Sequence, residues 1–279
     1  MSVLNVALIG SDEFARSLGK KGDSRDIDSY VHKESKDGGV RVLSLLRPLK
    51  HPESIRPLLS VLDVAKAGLL EIGALDAPVG EAMVALGCSG ISTGRVVIAP
   101  RDGEWIDPGQ VRVMLDQAGL SGWEIMEGDI DEHETREWLF GVQDELSKSV
   151  PDASSSPLIL PVDQFFNVKG VGLVAIGYVQ SGSVSKHDSI QVLPADENGI
   201  VRSLQVMDDD VDIAVSGDRV GLAIRNLREE ALHRGCMVVH ANSNVLNKNL
   251  SSTLSIITVS YTHLRAHETV LDLVCRLLL

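Results

Sequence analysis

Glycine spacing within two apolar stretches limits this chain more than any other feature. They are Pro161–Gly182, PVDQFFNVKGVGLVAIGYVQSG, and Gly217–Asn226, GDRVGLAIRN. In the first, Val168, Val171, Leu173, Val174 and Ile176 are punctuated by Gly170, Gly172 and Gly177. Glycine weakens a strand, but it lets the backbone bend at a corner or bulge and approach a neighbour closely. The pattern predicts a strand pair. A second hairpin is expected at Val179-Gln180-Ser181-Gly182-Ser183-Val184, between two short apolar runs. Short runs at Ser189–Leu193, Val201–Val206, Asp218–Ile224 and Gly235–Val239 continue the series, which reads as a small closed β-barrel.

The residues before Pro151 follow a different rhythm. Strands are expected at Asn5–Gly10, Val40–Leu46, Gly68–Ile72, Arg95–Ile98 and Trp123–Met126. Helices are expected from Phe14 to Leu18, over Ser54–Ala67 and Gly80–Leu86, and over Asp131–Phe140 with acidic residues in its first turn. Asp107-Pro108 opens another helix with an acidic cap and proline at the first position, ending near Gly119. Strands alternating with helices argue a mostly parallel α/β sheet. Between the two regions, Pro151–Pro157 combines two prolines with small polar residues and reads as a linker.

A chain of 279 residues suits about two domains with separate cores. No apolar run is long enough to cross a bilayer, and Val3–Ile9 reads as a first strand rather than a leader. Cys88, Cys236 and Cys275 stand far apart, in no metal or redox spacing, which fits reduced thiols in a cytoplasmic protein. The net charge of −13 argues against a broad footprint on duplex DNA, which needs clustered Lys and Arg. Local contact with an RNA end stays open.

The segments FNVKGVGLVAIGYVQSG, LQVMDDDVDIAVSGDRVGLAI and REEALHRGCMV resemble the second domain of the elongation factor Tu superfamily. The wording VKGVGLV and GDRVGLAI is most similar to SelB-type selenocysteine factors and archaeal elongation-factor-like proteins. The resemblance covers about residues 157–241. It implies a GTPase-like α/β domain over residues 1–150, a linker at 151–157, and a translation-factor β-barrel over 158–245. Residues 246–258 would begin a further domain.

A GTPase of this superfamily would carry a phosphate loop, G-x-x-x-x-G-K-[ST], whose backbone amides and Lys hold the phosphates while its Ser or Thr binds Mg²⁺. The equivalent stretch here is Gly10–Ser17. Gly10 and Ser17 match, but Ala15 and Arg16 replace the second Gly and the Lys, and Asp12 and Glu13 add negative charge. Where the family places Asp-x-x-Gly the chain reads Leu46-Arg47-Pro48-Leu49. Where it places Asn-Lys-x-Asp the chain reads Ala99-Pro100-Arg101-Asp102. Residues 22–39 are short for a first switch and lack its Thr. The expectation is a GTPase fold without hydrolysis, with no cofactor. The alternative is a remodelled nucleotide site on Gly10, Arg16, Ser17 and Asp102, taking GTP and Mg²⁺ by family inheritance.

The resemblance also implies a pocket for the aminoacylated tRNA 3′ end, built from Asp163, Gln164, Phe166, Ile176 and Arg219. Phe166 would stack on the terminal adenine and Arg219 would pair with an anion; the plain alternative is a core-packed Phe166 and a surface ion pair at Arg219. No catalytic residue and no metal site are expected. Asp208–Asp210 with Asp212 reads as a solvated turn, His133 as an exposed helix start, and His263 with His267 as a pair lacking a third ligand. The final stretch Val259–Leu279 is similar to translated adapter sequence and is expected to be foreign, leaving a longer natural protein; the other reading is an amphipathic helix. The expected partners are a tRNA 3′ end, the ribosome or a translation factor, and no membrane. A protein-interaction scaffold outside translation is the remaining alternative.

Overall fold

In the first strand, β1 (Ser2–Ile9), Leu4 to Leu8 are buried without interruption, as a strand covered on both faces requires. The structure is a computed structural model. It describes residues 2–36, 39–100, 105–128, 130–149, 156–207, 209–241 and 243. Asp102, most of the linker, and the segments 246–258 and 259–279 lie outside the described residues. The chain divides into two units, the first running to Glu145 and the second beginning at Leu146.

In the first unit β1 sits at the centre of a seven-stranded sheet. It pairs in parallel with β4 (Gly39–Pro48) on one side and β5 (Ala67–Ile72) on the other. Beyond β5 come β6 (Gly94–Ile98) and β7 (Glu124–Glu127), also parallel. On the far side, β3 (Ile27–Lys36) runs antiparallel to β4, and β2 (Lys20–Ser24) antiparallel to β3. The helices are α1 (Asp12–Leu18), α2 (Ile55–Leu62), α3 (Ala77–Cys88), α4 (Pro108–Gln117) and α5 (Glu132–Ser149). Asp107 caps α4, accepting from the Gly109 amide at 3.0 Å, with Pro108 following as expected. Trp123 lies over Gly68 and Gly94 of β5 and β6 and donates its indole N–H to Ile91 O at 3.1 Å.

The second unit is a closed six-strand antiparallel barrel. Its strands are β8 (Leu160–Val168), β9 (Gly172–Tyr178), β15 (Arg219–Arg225), β12 (Glu197–Val206), β11 (Ser189–Leu193) and β16 (Met237–His240), and β16 returns to β8. A short strand β13 (Asp209–Val211) pairs antiparallel with the end of β12, and β10 (Ser183–Ser185) pairs with β14 (Ile213–Val215). Leu160, Val162, Leu173, Leu204 and Leu222 fill the interior.

The glycines act as their spacing suggests. Gly170 and Gly172 have φ of 87° and 101° at the β8–β9 turn, and Val171 N–H donates back to Val168 O. A turn that needs positive φ at its third position favours Gly there. At Gly177 an added Cβ would lie 2.1 Å from Pro161 O, so β9 passes against β8 only without a side chain.

One expected hairpin does not form. Val179–Val184 joins two separate pairings: β9 ends on β8 and β15, whereas β10 pairs with β14. Gln180 N–H donates to Ile159 O, and Val179 N–H to Asp218 O. The two apolar runs face different neighbours, and adjacency along the chain concealed that. Of the cysteines, Cys88 is exposed and Cys236 buried, both as free thiols; Cys275 lies outside the described residues.

Candidate functional site

The turn from β1 into α1 contains only Gly10 and Ser11. Ser11 caps the helix, its hydroxyl accepting from Phe14 N–H at 3.1 Å. Its own amide donates to the Glu71 carboxylate at 2.6 Å. Six of the eight residues aligned with a phosphate loop, Asp12 to Ser17, are therefore helical. Arg16 is exposed on α1 and pairs with Asp12 one turn back, and Ser17 donates its hydroxyl to Phe14 O at 2.9 Å. Gly10 offers its carbonyl to Arg47 Nε at 2.8 Å. A helix N-terminus attracts anions through its free amides. Here a carboxylate of the chain itself already takes one of them.

Beside this turn lies a network of opposite charges. Asp28, 2% exposed, accepts from Lys21 at 2.8 Å and Arg47 at 3.3 Å, and it also bonds Ser24. The Tyr30 hydroxyl lies 3.2 Å from Asp28 and also bonds Asp12, which takes Lys21 at 3.1 Å as well. Burial pushes the Asp28 carboxyl up, but hydrogen bonds from Lys21 and Ser24 outweigh it and hold it below the usual range. Asp12 is lowered too, chiefly by Tyr30, then Arg16 and Lys21. The β2–β3 hairpin supplies Lys21, Ser24, Asp28 and Tyr30. It occupies the stretch aligned with a first switch, where no strand is expected from the sequence. Its polar residues carry no apolar alternation. The residues where Asp-x-x-Gly was sought end β4, with Arg47 turned toward Gly10 and Asp28.

The barrel gathers the second set of candidates. Opposed residues of an antiparallel pair share a face, and β8 opposes β9 as Gln164 to Ile176 and Phe166 to Val174. β9 opposes β15 as Ile176 to Gly221 and Tyr178 to Arg219. Along β9 the alternate residues Leu173, Ala175 and Gly177 are buried, leaving Val174, Ile176 and Tyr178 outward. Gln164, Phe166, Ile176 and Arg219 thus share the outer face of three adjacent strands. Phe166 is 41% exposed rather than core-packed. Asp163 stands at a bulge, where pairing shifts between Val162 and Gln164; it is 3.3 Å from the Gln164 amide and 3.8 Å from Arg234. A bulge re-aims side chains beside a site. The Arg219 guanidinium lies 6.0 Å from the Tyr178 ring centre. Phe165, 37% exposed, was not anticipated, though the doubled Phe was a visible signal.

Sequence comparison agrees with this barrel. The family model described as elongation factor Tu domain 2 matches residues 172–239. The selenocysteine-specific elongation factor of Methanocaldococcus jannaschii is 37% identical over 91 residues, 33% of this chain and 19% of that protein. An uncharacterized protein of the same organism is 30% identical over 246 residues, covering 88% of this chain and 75% of the relative. The chain belongs to the elongation factor Tu and SelB-type translation factor superfamily. Its fold is similar to that of a bacterial selenocysteine-specific elongation factor, with a TM-score of 0.67 and 20% identity over 86% of this chain and 45% of the other. The SelB factor of Methanococcus maripaludis, solved with a GTP analogue, gives a TM-score of 0.65 at 22% identity, covering 87% of this chain and 56% of that one. This superfamily member therefore spans about half the length of the solved factors it matches. Among its described residues no helix is long and apolar enough to cross a membrane.

Proposed function

We propose that this protein acts in translation, in the cytoplasm, as a relative that does not hydrolyse GTP, and that it binds the aminoacylated 3′ end of a tRNA on the barrel's outer face. The observation that carries the reading is the alignment of Gln164, Phe166, Ile176 and Arg219 on adjacent strands, with Phe166 open to solvent. An exposed aromatic ring stacks on a base, and a guanidinium pairs with an anion. The barrel's likeness to a selenocysteine-specific elongation factor supports this class of partner. The absence of hydrolysis is supported by the two-residue turn before α1 and by the bond from Ser11 to Glu71.

Gel-shift titration with aminoacylated and deacylated tRNA tests the first half. The aminoacylated form is expected to bind more tightly, and Phe166→Ala to weaken it by about 1–3 kcal/mol, the worth of one base stacked on an aromatic ring. Equal affinity for both tRNAs, or no effect of Phe166→Ala, would refute this site. Titration with a fluorescent GTP analogue, with and without Mg²⁺, tests the second half. Micromolar binding would establish the remodelled nucleotide site instead.

A further inference from the structure

Beside the β8–β9 turn the barrel carries a cleft of about 580 Å³, within the size range of sites that hold small ligands. Its floor is apolar: Leu173 and Ile224 are nearly fully buried, with Val171 and Leu227 beside them. Its polar lining consists of Arg202, Arg225, Asn167 and Glu229. Arg202 is the extra residue of a bulge in β12, because Val201 opposes Ile224 while Ser203 opposes Ala223. From there its guanidinium reaches the β8–β9 turn, donating to Val171 O at 2.9 Å and Gly170 O at 3.2 Å. Both bonds use the same nitrogen, so the rest of the five-donor fork faces elsewhere. Arg225 is exposed, and among the described residues its side chain has no carboxylate partner. In a chain of net charge −13, two arginines against one glutamate leave this lining with a net positive charge. Asn167 donates to Glu229 at 3.1 Å, which fixes one hydrogen-bond acceptor at the same cleft.

We infer that this cleft captures the C-terminal end of a partner polypeptide. The α-carboxylate lies on Arg202 and Arg225, a planar anion on planar forks, and the last side chain, aliphatic, covers Val171 and Leu227, the apolar lining residues that stay accessible. Glu229 accepts a peptide N–H. Capture of a chain terminus is an established recognition mode. Single-stranded RNA suits the cleft less well. No aromatic ring lines it for stacking. This inference does not rest on the tRNA reading, since the cleft and that face share none of the residues invoked for either.

The test uses the full chain, immobilised, with hexapeptides randomised at their last three positions. One pool carries free carboxylates and the other C-terminal amides, and the retained species are identified by mass spectrometry. Free acids ending in Leu, Ile or Val are expected to be retained. The tightest, resynthesised with an N-terminal fluorophore, is expected to lose about tenfold or more in affinity on amidation and in Arg225→Ala. Arg225→Gln is expected to match Arg225→Ala, and Phe166→Ala to bind as the parent does. Each variant's thermal unfolding curve separates lost contact from lost fold. Equal retention of the amides, no retention of either pool, or indifference to both Arg225 substitutions would overturn the inference. So would Arg225-dependent binding of a single-stranded RNA oligonucleotide in place of the peptides.

Discussion

The backbone N–H of Ser11 donates to Glu71 Oε2 at 2.6 Å, tying the start of α1 to the end of β5 across sixty residues of sequence. Gly10 makes this approach feasible, because a Cβ there would lie 2.8 Å from Glu71 Cβ and 2.9 Å from its Oε2. The carboxylate thus meets the helix N-terminus, where negative charge is favoured.

Glu71→Ala is expected to lower stability by about 2 kcal/mol, the range for a hydrogen bond to a charged group. Glu71→Gln keeps an acceptor and should lose about half of that. Urea unfolding of the two variants beside the parent provides the measurement. Equal losses would mean that the charge, rather than the acceptor, supplies the stabilisation.

Asp28 is a buried carboxylate held by Lys21, Arg47 and Ser24. Asp28→Asn takes the carboxylate from Arg47 and leaves Lys21 with Asp12, and it is expected to cost about 3 kcal/mol at neutral pH. The folded-state pKa is depressed, so the contribution is full above the unfolded value of about 3.9 and is lost as pH falls through the lower folded value. Parent and variant should therefore converge in acid. Denaturant titrations at pH 7 and pH 3 check this.

Asp218 has the opposite sign. It is 6% exposed, and burial raises its carboxyl, opposed by the Val215 N–H that it accepts at 2.8 Å. The folded state then binds the proton more tightly than the unfolded chain, so stability falls as pH rises from about 3.9 through the raised folded value. Asp218→Asn keeps an acceptor for Val215 and removes the charge. Its stability relative to the parent is expected to increase from pH 4 to pH 7. A flat difference across that interval would show that the charge carries no penalty.

Gly94→Ala would place a Cβ 2.4 Å from the Trp123 indole, which also covers Gly68. Trp123 is 1% exposed and anchored to Ile91 O, so it has no room to retreat. Overpacking of this kind should cost about 3 kcal/mol. Thermal unfolding reads the loss, and a stability equal to the parent's would mean that the indole can shift.

Much of the architecture was readable along the chain. β11 matches its apolar run residue for residue, and the Asp107-Pro108 cap stands where the helix starts. Gly170, Gly172 and Gly177 mark a turn and a close approach because those conformations exclude a side chain. The β2–β3 hairpin was not readable. Its ten-residue strand pairs fully with β4, yet the residues are mostly polar and backbone bonding leaves no periodic apolar trace. The shared outer face of Gln164, Phe166, Ile176 and Arg219 depended on register, which the bulge at Asp163 resets. Arg202 and Arg225 were unremarkable until a second bulge brought them to one cleft.

The amino-acid order alone determined the two kinds of layer, α/β and then barrel, because apolar period, caps and glycine placement act over a few neighbouring residues. Only the tertiary structure decided which groups meet: Glu71 with the Ser11 amide, Lys21 with Asp28, Arg202 with the β8–β9 turn. Those encounters require strand register and long-range packing to bring distant backbone and charge within about 3 Å, the length of a hydrogen bond.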